Sequence, residues 1–136
     1  MKIASTLILT FFLLVSCEDQ ITSGCEIDIP SGVPEASLSW IQENVFDAYC
    51  TSCHGNSLAQ GGLNLASGKA LANLLDKKAT ASTLKRIDAQ NPENSYLLKR
   101  LEGSNGESVM PPFGKLNQTV IDSVRSWIEK GAPDNL

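Results

Sequence analysis

The sequence predicts an all-α domain, a bundle of about four to five helices. Apolar residues recur at helical spacing near both ends of the region 38–128, and no stretch alternates with the period of a strand. Helix-capping residues and glycines also bracket several of these stretches. The chain has 136 residues, of which 42% are hydrophobic and 6% aromatic, so it is long enough for one domain with a modest core.

The first helix is predicted to begin at Ser39, because Ser39 and Gln42 fit the pattern of a capping box. Its apolar stripe has roughly helical spacing, and Phe46 widens it. The helix is expected to run to the region of Cys50. The residues of the stripe are Leu38, Ile41, Val45 and Tyr49.

Two further helices are predicted in the middle of the chain. A short one covers Gly68 to Asp76 and uses leucines as its apolar face. The next is predicted from Asn91 and Pro92, since asparagine is a preferred N-cap and proline suits the first helical position. That helix should stop at Gly103.

The last helix has the clearest signals. Asn117 is predicted as its N-cap, and Leu116 with Ile121 forms a hydrophobic staple across the helix start. Apolar residues then follow at helical spacing as far as Ile128. Gly131 and Pro133 are expected to end the element.

The N-terminus is typical of an export signal. Lys2 precedes an apolar run that is too short to span a bilayer, so residues 1–16 are predicted to be a signal peptide. The end of this run, Leu14-Val15-Ser16-Cys17, resembles the lipobox of bacterial lipoproteins, which implies cleavage before Cys17 and its acylation. The alternative is an ordinary secreted protein in which Cys17 is a plain thiol. Cys25 is either a free thiol or a partner of an unacylated Cys17.

Residues 17–36 are polar and turn-rich and are predicted to form a flexible tether, with the domain itself over residues 37–136. The net charge of −4 and pI of about 4.9 give no reason to expect nucleic-acid binding, which needs a basic footprint. Residues 17–50 carry acidic but no basic side chains, whereas residues 69–100 carry most of the basic ones. Such a pattern is usually solvated surface, although it can orient a partner.

The central motif is Cys50-Thr51-Ser52-Cys53-His54, which is typical of c-type haem attachment. Two thiols on one tight turn can reach the two vinyl groups of a porphyrin, and the adjacent imidazole can then bind the iron. A structural zinc site usually needs two separated ligand pairs, but the chain has one histidine and one C-x-x-C. An iron–sulfur cluster would need all four cysteines, but Cys17 is predicted to be acylated on a flexible leader. A thioredoxin-like site would need a βαβ setting, which this sequence lacks. The motif therefore predicts one covalent haem c, attached at Cys50 and Cys53.

The region from Leu38 to Pro133 resembles small bacterial monohaem cytochromes of the class I-like c type. The resemblance implies a compact set of helices around the haem, with the first and last helices packed together. It also implies that His54 and Met110 are the axial iron ligands, because the family takes its sixth ligand from a loop before the C-terminal helix. The segments that carry it are Cys50–Gly55, Gly61–Leu65, Asn91–Leu97, Met110–Pro112 and Trp127–Pro133.

The number of methionines in the sequence also favours Met110 as the ligand. The chain has two methionines, and Met1 would leave with the signal peptide, so a methionine ligand can only be Met110. Pro111 and Pro112 restrict the backbone that follows. The alternative is that Met110 fills a gap in the core. Arg86 and Arg100 are interpreted as surface charges or as partners of the haem propionates, and four aromatic residues are expected to pack around the porphyrin: Trp40, Tyr96, Phe113 and Trp127.

These observations lead to an expected function. A haem with both axial positions filled has no place for a substrate, so we expect a single-electron carrier and not an enzyme. We expect it to be exported, lipid-anchored on the periplasmic or cell-surface side of a bacterial membrane, and to exchange electrons with membrane-associated donor and acceptor proteins. The main alternative is a five-coordinate haem that binds or senses a small gas or peroxide. A purely structural haem lipoprotein is a third.

Overall fold

The computed structural model describes residues 36–135. The predicted signal peptide, Cys17, Cys25 and all of the predicted tether except Ala36 lie outside the described residues. Within residues 36–135, no helix is both long and apolar enough to cross a membrane.

Four α-helices and no strand are found in this described part of the chain, which confirms the predicted all-α class. The helices are α1 (Leu38–Ile41), α2 (Ala70–Leu74), α3 (Tyr96–Glu102) and α4 (Gln118–Glu129). The first helix continues beyond α1 as a π-helical stretch, Gln42–Asp47, and reaches the haem motif as predicted. Short 3-10 turns cover Gln60–Gly62 and Pro92–Asn94.

The start of α1 lies two residues earlier than the sequence predicted. Ser37 is the N-cap, because its hydroxyl accepts a hydrogen bond from the amide of Trp40. The hydroxyl of Ser39 forms a hydrogen bond with the hydroxyl of Ser37, in which either can be the donor, and it does not cap the helix. Gln42 does not complete a capping box either, since its amide is buried and donates to the carbonyl of Leu65 at 2.8 Å. A tertiary contact therefore outcompeted the local capping pattern.

The start of α3 was also predicted wrongly. Asn91 makes no side-chain capping bond, and Pro92 begins a 3-10 turn that ends before α3. Between the two, Ser95 is extended and fully buried, and its hydroxyl accepts a hydrogen bond from the amide of Asp88. The predicted C-terminus is confirmed, because Gly103 adopts the left-handed conformation with φ of 66°. The helix predicted over Gly68–Asp76 exists but is shorter.

The predictions for α4 are confirmed. The side chain of Asn117 accepts a hydrogen bond from the amide of Thr119, and Leu116 and Ile121 are both buried. Gly131, with φ of 90°, follows the end of the helix. The N-cap bond satisfies one of the amides that a helix start leaves without an intrahelical partner.

The core lies where α4 packs against α1 and α3. Its side chains come from the predicted apolar stripes, and removing them from water stabilises the fold by roughly 1.5–3 kcal/mol for each large residue. Arg125 on α4 also pairs with Glu102 on α3 and with Glu93. The most deeply buried large residues include Ile41, Val45, Phe46, Leu98, Ile121, Val124, Trp127 and Ile128.

Candidate functional site

A cleft of about 320 Å³ opens beside this core, with a lining that is mostly apolar. Cofactor pockets in proteins commonly measure about 300–1,000 Å³. The cleft lies between the turn that follows the first helix, the segment around Ala79–Arg86, helix α3 and the segment Met110–Phe113. It brings together all four of the predicted haem-site side chains that the structure describes: Cys50, Cys53, His54 and Met110.

The end of the first helix places both thiols in the cleft. The amide of Cys50 donates to the carbonyl of Phe46, so Cys50 continues the helix, whereas Cys53 lies on the turn that follows. The two cysteines are free thiols and form no disulfide. Burial, and to a lesser extent Asp47 and Cys53, raises the pKa of Cys50 to about 12. Because a reactive redox cysteine needs a lowered pKa, this environment disfavours thioredoxin-like chemistry.

The turn of the motif requires a glycine after the histidine. The amide of His54 donates to the carbonyl of Cys50 at 2.8 Å, which folds the chain back on itself. A β-carbon at Gly55 would collide with the backbone carbonyl oxygen of Thr51. This collision is the physical reason for glycine at the sixth position of the motif.

His54 is oriented by a backbone carbonyl. Its Nδ1 lies 2.9 Å from the carbonyl oxygen of Gln60, and only a protonated nitrogen can donate to that oxygen. The neutral ring then keeps its lone pair on Nε2, which is the atom left to bind a metal. The amide of Gln60 in turn donates to the carbonyl of Cys53, so Gln60 is tied to the motif on both sides. No feature of the sequence indicated the role of Gln60, because any residue type supplies a carbonyl.

Met110 reaches the cleft from the loop between α3 and α4. Its amide donates to the carbonyl of Arg100 at 2.6 Å, which fixes the loop to helix α3. The peptide bond to Pro111 is cis. Met110 is half-buried and lines the cleft.

Arg86 and Arg100 both line the cleft and neither is simply surface charge. Arg86 donates to the carbonyls of Gly61, Gly62 and Asn73 at 2.9–3.2 Å, so it braces the wall of the cleft. Arg100 lies over the ring of Tyr96 and donates to its hydroxyl.

The four aromatic residues do not share one role. Tyr96 and Phe113 line the cleft, and Phe113 is 71% exposed. Trp127 is fully buried in the core between helices and does not line the cleft. Trp40 packs against that core from its edge. The amphipathic periodicity predicted that Trp127 is buried, but it did not show whether Trp127 packs in the core between helices or against the cleft.

Similarity to known proteins was found for the part of the chain that forms the cleft. Residues 50–114 match the family model described as Planctomycete cytochrome C. This match supports a cytochrome c-type domain, and such domains carry covalently bound haem c. It begins at the first cysteine of the motif and extends beyond Met110, so it spans every predicted haem-site residue that the structure describes. No curated protein and no solved structure matches the chain.

The residues of the cleft fit a haem. An apolar lining suits a porphyrin, and a hydrogen-bonded imidazole with a free Nε2 suits its iron. Two unpaired thiols stand at the spacing that covalent attachment requires. Among residues 36–135 no group of three histidine, cysteine, aspartate or glutamate side chains is placed to hold a bare metal ion.

Proposed function

We propose that this protein is an electron-carrying c-type cytochrome with one six-coordinate haem. The observation that carries the proposal is the convergence of four side chains on one apolar cleft, with Nδ1 of His54 already committed to the carbonyl of Gln60. The family match supports haem-based electron transfer over the same residues.

Each residue has a distinct role in the proposal. Cys50 and Cys53 attach the haem as thioethers, since each thiol adds its sulfur to one carbon of a vinyl group and its hydrogen to the other. His54 is the proximal iron ligand, and the Gln60 carbonyl fixes the plane and tautomer of its ring. Met110 would supply the second iron ligand from the protein, and the hydrogen bond from its amide to the carbonyl of Arg100 restricts the position of its loop.

The cofactor, once bound, supplies a one-electron couple between ferric and ferrous iron. A thioether ligand from Met110 favours the ferrous state and raises the potential. The apolar lining around Leu63, Leu65 and Leu97 excludes water from the iron and limits the reorganisation that accompanies a change of charge. With His54 and Met110 both bound, the protein leaves no site for a substrate, so it is a carrier and not an enzyme.

Covalent attachment is tested by extraction with acid acetone, which removes a haem that is held only by coordination. The purified parent protein should keep its haem in this solvent, and mass spectrometry should report one haem per chain. The double variant Cys50→Ala/Cys53→Ala should lose its haem, because no thioether remains, whereas Cys53→Ala should keep its haem through the one remaining thioether to Cys50. Ser52→Ala, a change on the same turn, is the matched control and should behave like the parent. Release of the haem from the parent would refute attachment.

Six-coordination is tested with carbon monoxide. The absorption spectrum of the reduced parent should change little when the gas is added, because both axial positions are filled. An immediate spectral shift would favour the alternative, a five-coordinate haem that binds small gases or peroxide. Electron exchange with a membrane oxidase or reductase distinguishes a carrier from a structural haem protein.

We further propose that the protein is exported and anchored by lipid on Cys17, on the periplasmic or cell-surface side of a bacterial membrane. The lipobox-like sequence Leu14–Cys17 supports this, and acylation of one residue by several chains would give stable anchoring. Its redox donor and acceptor would then be membrane-associated proteins. Cys17→Ser should move the protein from the membrane fraction to the soluble fraction, whereas Cys25→Ser should not. Unchanged membrane association of Cys17→Ser would disprove the anchor.

A further inference from the structure

The loop that leads from α3 to Met110 contains the pair Asn105-Gly106, and this pair of residue types occurs once in the chain. Every other asparagine is followed by a residue that carries a β-carbon. Gly106 has no β-carbon, so its backbone nitrogen can approach the side chain of Asn105 without steric hindrance. The sequence therefore places the least hindered backbone nitrogen directly after an asparagine side chain.

The two residues form the tip of an exposed turn. Both have positive φ, 56° for Asn105 and 77° for Gly106, which is the pattern of a type I′ turn, in which Asn-Gly is a favoured pair. The amide of Glu107 closes the turn by donating to the carbonyl of Ser104 at 3.1 Å. A β-carbon built on Gly106 would meet no atom within 4 Å, so nothing packs against the tip to prevent its backbone from rotating.

Neither of the two groups that could react is held by a hydrogen bond. Among residues 36–135, the side chain of Asn105 and the amide of Gly106 have no hydrogen-bond partner. Asn73 in α2 is different, because its side-chain nitrogen donates to the carbonyl of Lys69 at 2.9 Å. Such a bond restricts the side chain, whereas the side chain of Asn105 is free to turn towards the next backbone nitrogen.

We propose that Asn105 is a site of spontaneous deamidation. The backbone nitrogen of Gly106 bonds to Cγ of Asn105, and its proton passes through solvent to the side-chain nitrogen, which leaves as ammonia. The product is a five-membered succinimide ring. Water then adds to one of the two ring carbonyls and breaks its bond to the ring nitrogen, which gives aspartate or isoaspartate. Water is the only co-reactant, and the reaction does not require the haem.

The modification changes the loop next to the cleft. Either product adds one negative charge two residues before Glu107, and isoaspartate also lengthens the main chain by a methylene group. Oε2 of Glu107 accepts a hydrogen bond from the hydroxyl of Tyr96 at 2.9 Å and lies 3.6 Å from Nη1 of Arg100. Because Tyr96 and Arg100 both line the cleft, the altered residue is close to the contact that joins this loop to the cleft wall.

The test follows the purified full-length protein during incubation in mildly alkaline buffer, which favours loss of the proton from the attacking nitrogen. Samples taken at intervals are digested with trypsin. Cleavage after Arg100 and Lys115 releases residues 101–115, in which Asn105 is the only side-chain amide. Mass spectrometry should show this peptide converting into two forms of equal mass that separate by chromatography, one with aspartate and one with isoaspartate.

Two peptides provide the references. Residues 70–77, in which Asn73 is the only side-chain amide, are released by the same digestion and should stay unchanged. The free peptide of residues 101–115 gives the rate for an unprotected chain. Conversion of Asn105 in the folded protein should lie within about tenfold of that rate, a difference of less than about 1.4 kcal/mol in the barrier. A larger difference would overturn the inference, because the turn would then protect Asn105.

Gly106→Ala tests the attacking nitrogen, since it adds a β-carbon beside that atom. The variant should convert at least about tenfold more slowly than the parent. Strain from the positive φ at this position would loosen the turn and speed the reaction, so slower conversion cannot result from lost structure. Ser108→Ala, on the same loop, is the matched control and should convert at the rate of the parent. A Gly106→Ala variant that converts as fast as the parent would contradict the proposal.

The products of the parent protein give an independent answer. Direct hydrolysis of the side-chain amide yields aspartate alone, whereas a succinimide yields both isomers. Aspartate as the sole product, or no conversion, would therefore refute the inference even if Gly106→Ala does not accumulate. None of these outcomes bears on the proposed function, which is decided by haem extraction and by the response to carbon monoxide.

Discussion

The helical frame, formed by α1, α3 and α4, and the connecting segment, residues 51–95, are stabilised in different ways. The frame is closed by apolar side chains, and Ile41, Val45, Val124, Trp127 and Ile128 are each 0% exposed. Such burial depends on periodic apolar residues and on close packing. These contacts are made between side chains of the chain itself.

The connecting segment has little regular structure. It adds a few apolar side chains to the core, namely Leu65, Ala70, Leu74 and Ile87, and many of its other contacts are hydrogen bonds to backbone carbonyls. Arg86 supplies three of these bonds, and Gln60 links His54 to the turn of the motif. Pairs such as Ala79 with Leu84 and Arg86 with Lys77 fold the segment back on itself. Its inner side, with Ala79, Thr80 and Leu63, forms a wall of the cleft.

This difference separates stability from cofactor chemistry. Substitutions in the frame should change the free energy of unfolding with little effect on the spectrum of the haem. Substitutions in the cleft should change ligation or potential. In a protein that follows this division, the cleft lies on one side of the helical frame.

The largest effect is expected for Trp127→Ala. Trp127 is fully buried, and its indole nitrogen donates to the carbonyl of Pro133 at 3.1 Å. The free energy of unfolding should fall by about 3–5 kcal/mol, as for other large core truncations. Urea denaturation of the haem-loaded protein measures it, and Trp40→Ala, at a half-buried position, is the control that should cost less. Equal losses would mean that the full burial of Trp127 does not add to its contribution to stability.

Met110→Ala tests the cleft, where substitutions should change ligation or potential. If Met110 is an iron ligand, its removal opens the sixth position, so the reduced protein should bind carbon monoxide at once. The free energy of unfolding should fall by about 2–5 kcal/mol, the loss of the iron bond included. Met110→His should keep six ligands but lower the potential, since imidazole favours ferric iron more than a thioether does.

Val109→Ala, one residue earlier, is the control for Met110→Ala and should leave the carbon monoxide response unchanged. If Met110→Ala shows the spectrum, potential and carbon monoxide response of the parent, Met110 is only packing. The proposal of an electron carrier would then need another ligand or would give way to a five-coordinate haem.

Arg86→Gln tests the connecting segment alone. It should lower the free energy of unfolding by about 1–3 kcal/mol, because bonds from a charged group to three carbonyls are lost. Lys77→Gln removes the same charge from an exposed position and should stay within about 0.5 kcal/mol of the parent. Urea denaturation of both variants, compared with Trp127→Ala, ranks the two regions. A parent-like Arg86→Gln would show that the carbonyls of Gly61 and Gly62 are satisfied equally well by water.

The sequence predicted the frame better than the connecting segment for a physical reason. In α4, the cap at Asn117, the staple of Leu116 with Ile121 and the apolar period all lie within one continuous stretch. The start of α3 instead depends on partners elsewhere in the chain, because the amide of Tyr96 donates to the carbonyl of Lys85. The residues next to Tyr96 in the sequence do not indicate such a distant hydrogen-bond partner.

The same division applies within the first helix and the site. Apolar spacing predicted the helix but not its π-helical stretch, and i→i+5 bonding rotates the residues that follow, so Tyr49 lies at the cleft and not in the core. Cys50, Cys53 and His54 were recognisable because their chemistry fixes their spacing. The roles of Gln60 and Arg86 were not, because backbone carbonyls look alike in every residue.

The smallest expected effect concerns two asparagines that the sequence treats alike. Both were predicted to cap helices, yet Asn117 accepts a hydrogen bond from the amide of Thr119 at 2.9 Å and Asn91 makes no side-chain capping bond. Asn117→Ala should therefore lower the free energy of unfolding by about 1 kcal/mol, the usual loss for an N-cap. Asn91→Ala should change it by less than about 0.5 kcal/mol, since no bond is removed. Urea denaturation resolves this difference, and the haem spectrum should not change in either variant because neither residue lines the cleft. Equal losses in the two variants would show that α3 is capped by Asn91 in solution, and the boundary between the frame and the connecting segment would then move from Ser95 to Asn91.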